Sequence, residues 1–232
     1  MPRTRTQRLG QHFLADRSVL EKIVQACGLR RTETVCEAGT GTGVLTKELC
    51  KYAGRVLSYE VDRELFARAR RMEIPNLELV NRNLFREDVK FDVFVSNLPY
   101  SKSRDAFEWL VSRKFDRAIV MVQKEFAEKL LARPGEKNYR AITAIASYCF
   151  SIEPLFDVGA EAFEPRPKVA STVLRAKQVR VVSKQQIRKA NLLFSKRNKK
   201  ASAVAAKMGV SADFGQRRIC QLGPAEIMEL AL

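Results

Sequence analysis

The chain has a single histidine, His12, and no CxxC pair among its five cysteines. Structural zinc sites take four clustered Cys and His ligands, so no metal is expected. Five cysteines (Cys27, Cys36, Cys50, Cys149 and Cys220) is an odd number, and most sit in apolar surroundings. They read as reduced core thiols of a cytoplasmic protein, not as a disulfide framework. No apolar run is long enough to span a bilayer, so no membrane partner is expected. Internal repeats and low-complexity linkers are lacking too. The first ten residues, MPRTRTQRLG, contain no acid. They lack a cleavage signature and run directly into QHFLAD, which makes them a basic arm of the mature protein.

Acids are also scarce near the C-terminus. From Arg166 to Cys220 there are fifteen Lys and Arg residues against one acid, Asp213. Nearly all of the net charge of +16 therefore falls in that stretch. A solvated basic face would account for it, but such local asymmetry points more strongly to a phosphate backbone as partner.

What is present is an alternation of helix and strand signals. Asp16 suits the N-cap of a helix through Val19, Leu20, Ile23, Val24 and Cys27, ended by Gly28. Strands are predicted at Thr34–Ala38, Arg55–Glu60, Leu77–Val80, Phe91–Ser96 and Ala118–Val122. Helices over Gly43–Tyr52 and Asp62–Met72 separate the first three. This βαβα order predicts an α/β fold with a mostly parallel, doubly wound sheet. Two extended segments, near 148–156 and 169–176, would close the sheet edge as an antiparallel pair. From Lys184 the periodicity is helical, and Pro224 suits the first turn of a last helix. A boundary near residue 180 follows. Residues 1–180 would form the larger α/β domain with its basic arm, and 181–232 a small basic helical domain.

The first strand runs into Glu37-Ala-Gly39-Thr-Gly41-Thr-Gly43. Glycines at a strand-to-helix turn let a ligand approach the backbone at a helix N-terminus. The spacing is GxGxG, with Val44 where the third glycine of the nicotinamide fingerprint would stand. Glu60 ends the second strand about twenty residues on, where a carboxylate accepts both ribose hydroxyls. Together they favour a nucleoside cofactor; the alternatives are a structural glycine turn and an exposed helix cap.

The fourth strand ends in Asn97-Leu98-Pro99-Tyr100. An exocyclic adenine amine is a poor nucleophile because its lone pair is delocalised into the ring. The Asn97 side-chain oxygen and the Leu98 carbonyl would hold its hydrogens and favour a tetrahedral nitrogen. Pro99 would fix those acceptors, and Tyr100 offers a stacking face. Catalysis would then rest on positioning and electrostatic support, without a strong general base.

Several stretches in order carry a family resemblance: Leu9-Gly-Gln-His-Phe-Leu-Ala-Asp16, EAGTGTG, YEVD, NLPY, Met121-Val-Gln-Lys-Glu125, Ala162-Phe-Glu-Pro-Arg-Pro-Lys-Val169 and Phe194-Ser-Lys-Arg197. Over nearly its whole length the chain resembles the ribosomal small-subunit adenine dimethyltransferases, the KsgA family. The resemblance implies a Rossmann-like sheet that binds S-adenosylmethionine (SAM), and dimethylation of N6 on two adjacent adenosines near the 3′ end of small-subunit rRNA. The implied partner is the assembling small subunit, and a monomer is expected. His12 and Leu14 would touch SAM, Gly39 and Gly41 line its methionine part, and Glu60 hold the ribose. Asn97 would stand between cofactor and amine, and Phe163 would sandwich a flipped base against Tyr100. Lys168, Lys196, Arg197, Lys199 and Lys200 would contact rRNA phosphates.

There are two departures. Asn83 stands where the family usually has Asp, so a contact to the cofactor adenine's amino group would lose charge assistance. After NLPY, SKSRD replaces a smaller, more apolar continuation. Two other readings compete. One is the related large-subunit adenine methyltransferases of antibiotic resistance, which more often carry isoleucine at the position of Leu98. The other is an RNA-binding assembly factor with dispensable catalysis, against which the intact NLPY and EAGTGTG argue.

Overall fold

A computed structural model describes residues 11–210 and 214–232. The basic arm and Asp213 lie outside the described residues. The chain divides into two compact units, and the division is not a single cut. One unit takes the residues up to Ser103 with Lys114–Lys124 and Glu153–Lys177; the other takes Arg104–Arg113, Glu125–Ile152 and Gln178–Leu232.

The first unit opens with β1 (Phe13–Leu14) and α1 (Arg17–Cys27). The Asp16 carboxylate caps α1, accepting from the Ser18 and Val19 amides at 2.8 and 3.1 Å, and Gly28 ends it at φ 54°. Then come β2 (Thr34–Ala38), α2 (Val44–Tyr52), β3 (Arg55–Tyr59), α3 (Arg63–Ala69) and β4 (Leu77–Val80). A 3₁₀ turn, Arg70–Met72, extends α3. β5 (Val93–Asn97) and β6 (Arg117–Gln123) complete the parallel part. Late in the chain come β7 (Phe150–Val158), β8 (Phe163–Glu164) and β9 (Ser171–Gln178).

The seven-stranded sheet has the order β4-β3-β2-β5-β6-β9-β7. Strands β4 to β6 are parallel, and β9 adds antiparallel to β6. The two late extended segments are therefore neighbours at the sheet edge, as their sequence suggested. The chain runs β2, β3, β4 in one direction across the sheet, then resumes on the other side of β2 with β5 and β6. That reversal opens a crevice beyond the carboxyl ends of β2 and β5, where open α/β sheets bind ligands. Val93 to Ser96 are all buried, as expected for a strand covered on both faces.

Arg117 at the start of β6 locks this sheet to α1. It pairs with both oxygens of Glu33 at 2.9 and 3.0 Å and donates to the Cys27 carbonyl at 2.7 Å. The guanidinium holds the Glu33 carboxyl down at about 2.

One link had no signal in the sequence. β1 and β8 form a two-stranded antiparallel ribbon, with Leu14 opposite Phe163 and Phe13 opposite Glu164. The Ala15 amide adds a bond to the Ala162 carbonyl at 2.8 Å. The QHFLAD and FEPRPK motifs are thus stitched together.

The second unit is helical: most of α4 (Ser103–Leu110) and α5 (Lys124–Leu130), then α6 (Ala141–Cys149), α7 (Lys184–Ser195), α8 (Ala201–Lys207) and α9 (Pro224–Leu230). α6 is apolar nearly all round and packs against α7 and α9. The C-terminal helices therefore share their core with residues well before position 180. The Tyr139 hydroxyl donates to the Leu222 carbonyl at 3.0 Å inside this core. Among the described residues, no helix is long and apolar enough to cross a membrane.

Candidate active site

A cavity of about 180 Å³ lies over the carboxyl ends of β2, β3 and β5 in the first unit. His12, Leu14, Gly39, Gly41, Glu60, Asn83, Asn97, Leu98 and Pro99 all line it. Residues 85 positions apart meet there because the β1–β8 ribbon carries the N-terminal motif back across the sheet.

The glycine loop follows from backbone geometry. Gly39 and Gly43 have φ of 85° and 80°, a region that other residues rarely adopt. At Gly43 a Cβ would also come within 2.6 Å of the Met72 sulfur. At Gly39 a Cβ direction meets nothing within 4 Å, so the backbone there borders open space.

Glu60 is only 3% exposed and is not a helix cap; Asp62 caps α3 instead. Its Oε2 accepts from the Gly41 amide at 2.9 Å and its Oε1 from the Asp62 amide at 2.8 Å. The carboxylate thereby ties the glycine loop to the loop after β3. Each oxygen keeps a lone pair for a further donor.

Glu37, the acid before the glycines, is completely buried and stays off the cavity wall. Its Oε2 accepts from the Thr46 and Ser58 hydroxyls at 2.6 and 2.5 Å. Ser58 in turn lies 2.6 Å from the Thr40 hydroxyl, so the carboxyl props the glycine loop from below. Burial pushes it up to about 7.

Asn83 opens a 3₁₀ turn, its Oδ1 accepting from the Phe85 amide at 3.1 Å. At the end of β5 the Asn97 Nδ2 donates to the His12 carbonyl at 3.1 Å. That bond turns the Asn97 Oδ1 the other way, and Oδ1 takes no partner among the described residues. The Leu98 amide bonds the Met121 carbonyl at 3.4 Å, while no described amide donates to the Leu98 carbonyl. Two acceptors thus stand free beside the rigid Pro99. His12 gives its Nδ1 proton to the Pro165 carbonyl at 2.7 Å, which fixes the ring.

Tyr100 and Phe163 are not brought onto the cavity wall. Phe163 is 3% exposed and sits in the core with Leu14, because β8 turns it inward against β1. The ring beside Tyr100 is that of His12, with centroids 5.4 Å apart. The Tyr100 hydroxyl is held by the Ser171 hydroxyl at 3.0 Å. Sequence reasoning missed Phe13, whose ring lies 3.3 Å from a Cβ built on Gly41, although it stands between His12 and Leu14 in the N-terminal motif, and Ser171, which carries no motif. Lys102, from the unexplained SKSRD stretch, lines the cavity as well.

Of the basic residues, Lys168 is exposed in the first unit, in the loop after β8. Lys196, Lys199 and Lys200 are exposed in the second, and Arg197 is half-buried. There the Lys199 and Arg197 carbonyls accept from the Ile219 and Cys220 amides at 3.1 and 3.0 Å. This pairing sets Arg218 against Lys200 and fixes the basic turn.

A family profile described as "Ribosomal RNA adenine dimethylase" matches residues 3–208. The "Ribosomal RNA small subunit methyltransferase A" of Thermotoga petrophila is 39% identical over 197 residues, covering 82% of this chain and 76% of that protein. The "Probable ribosomal RNA small subunit methyltransferase A" of Thermococcus gammatolerans is 34% identical, covering 96% of this chain and 86% of that protein. Among solved structures, a dimethyladenosine transferase from Plasmodium falciparum superposes with a TM-score of 0.81 at 24% identity, covering 94% of this chain and 96% of that one. The 23S rRNA methyltransferase ErmE gives 0.68 at 25%, covering 94% and 98%. The sheet is therefore the Rossmann-like sheet of methyltransferases, and the profile match extends from the glycine loop through NLPY into the basic helices. With matches of this extent, the chain belongs to the ribosomal RNA adenine dimethylase family.

Proposed function

We propose that this chain dimethylates N6 of two adjacent adenosines near the 3′ end of small-subunit rRNA, using SAM, while the small subunit assembles. The observation that carries the proposal is the Asn97 amide, held by the His12 carbonyl so that its oxygen is the free end. An oxygen there accepts from an amine, whereas an NH₂ would repel one.

The cavity's residues fit SAM on two counts. Open space beside the Gly39 backbone admits a ligand in close contact. The two remaining lone pairs of Glu60 match the two hydroxyls of a ribose. Gly39 and Gly41 would flank the methionine part, with His12 and Leu14 across from them and Asn83 at the adenine. When bound, SAM supplies the methyl group on a positively charged sulfur. Asn97 Oδ1 and the Leu98 carbonyl hold the hydrogens of the target amine, which frees its lone pair from the ring and directs it. Pro99, at φ −53°, keeps the two acceptors in register. Neither acceptor is basic enough to remove a proton, so the amine's surplus proton passes to solvent after transfer. Tyr100, braced by Ser171, gives the base a face; Phe163 supports it from the core behind Leu14. Lys168, Lys196, Arg197, Lys199 and Lys200, joined by Arg218, hold rRNA phosphates and position the substrate.

The relatives named for the small subunit, at 39% and 34% identity, favour that substrate over large-subunit rRNA. Labelled methyl transfer from SAM to unmethylated small and large subunits in parallel tests the choice. Label in the small subunit is expected. Label confined to the large subunit would reverse the assignment.

A further inference from the structure

Several arginines of the first unit pair with carboxylates: Arg55 with Glu78, Arg82 with Glu87, and both Arg30 and Arg117 with Glu33. The segment Arg63–Met72 concentrates arginines without such pairs. It holds Arg63, Arg68, Arg70 and Arg71 against one acid, Glu64. All four arginines are exposed, and none has a partner among the described residues. Arg31, Arg86 and Arg166 also have no partner among the described residues.

Arg63 and Arg68 stand on α3, and Arg70 and Arg71 on the 3₁₀ turn that extends it, so the four fall within nine consecutive residues. The segment is also firmly seated. Met72 packs at Gly43, and the Asn76 amide donates to the Cys50 and Ala53 carbonyls at 2.9 and 3.0 Å. These contacts lay residues 72–76 along α2. Val61, two residues before Arg63, lines the cavity, so the basic face begins at the edge of the site.

Four unpaired guanidinium groups on one short rigid segment repel one another, and arginine's planar fork suits phosphate oxygens. We infer that the α3 face is a second rRNA-binding surface, gripping backbone phosphates from the catalytic unit in addition to the basic turn of the helical unit. This rests on rRNA being the substrate. Contacts of this kind set position and register and carry no sequence information.

The test replaces Arg63, Arg68, Arg70 and Arg71 by Gln, a good helix former, in the full chain. A companion variant carries Lys at all four positions. Binding to unmethylated small subunits and to a short RNA duplex is measured across a salt series, with SAM affinity measured separately by calorimetry. The Gln variant should bind both RNAs at least about tenfold more weakly, and the slope of log K against log salt should shallow by about 3, near 0.7–0.9 per lost contact. SAM affinity and melting temperature should hold, and the Lys variant should recover most of the slope. Unchanged affinity and slope for both RNAs, in a protein whose wild type still dimethylates subunits, overturns the surface and leaves the substrate assignment standing. Weakened binding to subunits with unchanged duplex binding also overturns it, since the face would then meet a ribosomal protein. A wild type that makes no dimethyladenosine on subunits removes the reading on which the inference rests.

Discussion

The side chain of Asn97 is oriented by the main chain of His12, its Nδ2 lying 3.1 Å from that residue's carbonyl oxygen. The bond makes the Asn97 oxygen the free end of the amide and couples the NLPY loop to the N-terminal strand. Asn97→Ala should therefore reduce kcat for methyl transfer on the order of 10²-fold, the scale of losing one positioned polar group at a reacting centre. SAM affinity should change far less. Single-turnover kinetics alongside calorimetry separate the two; an equal loss in both would make Asn97 a cofactor ligand only.

Glu60 joins two loops through the Gly41 and Asp62 amides. In Glu60→Gln one of those amides faces an NH₂ group, and the charge assistance is gone. SAM binding should weaken by about 10- to 100-fold, the value of one or two charge-assisted bonds. Calorimetric titration with SAM reads this directly. Unchanged affinity would move the ribose elsewhere.

Asn83 keeps its 3₁₀ turn by accepting from the Phe85 amide. A carboxylate at this position would cap the same amide and accept from a cofactor amine with charge assistance. Asn83→Asp should tighten SAM binding by about 3- to 10-fold without altering the melting temperature much. If the affinity does not move, the adenine does not sit at residue 83.

The Glu33 carboxyl is held at about 2 by Arg117, below its ordinary 4.5. A depressed folded-state value stabilises the fold above the unfolded value, and the benefit is lost as pH falls from about 4.5 towards 2. Glu33→Gln should cost about 3 kcal/mol near neutral pH, the low end for removing one partner of a buried pair. The gap to wild type should close as the medium is acidified, and urea unfolding at several pH values measures it. A gap independent of pH would mean the pair contributes only shape.

Strands β2, β3, β5 and β6 were legible because a parallel strand buried on both faces is a continuous apolar run between turn residues. The glycines were legible because few other residues tolerate their backbone angles. What escaped is what local pattern does not encode. β1 and β8 are two residues long, too short to show a period of two, and their pairing spans most of the chain. α6 is apolar on nearly every side and so has no helical periodicity, yet it holds the second unit's core together. That is why a cut near residue 180 does not describe the two units. At the site, NLPY offered two candidate acceptors, but the direction of the Asn97 amide is set by a carbonyl remote in sequence. Phe163 was assigned a stacking role from its motif, and its burial against Leu14 depends on a ribbon the sequence does not announce.

Where the methyl groups go is the most direct test of the proposed reaction. Unmethylated small subunits incubated with SAM and either wild type or Asn97→Ala, followed by mass spectrometry of rRNA digests, locate them. Wild type should yield N6,N6-dimethyladenosine at two adjacent adenosines near the 3′ end, and Asn97→Ala should form the product on the order of 10²-fold more slowly. Dimethylation at the wild-type rate by Asn97→Ala, or methyl groups only on another atom or another rRNA, would contradict this reaction.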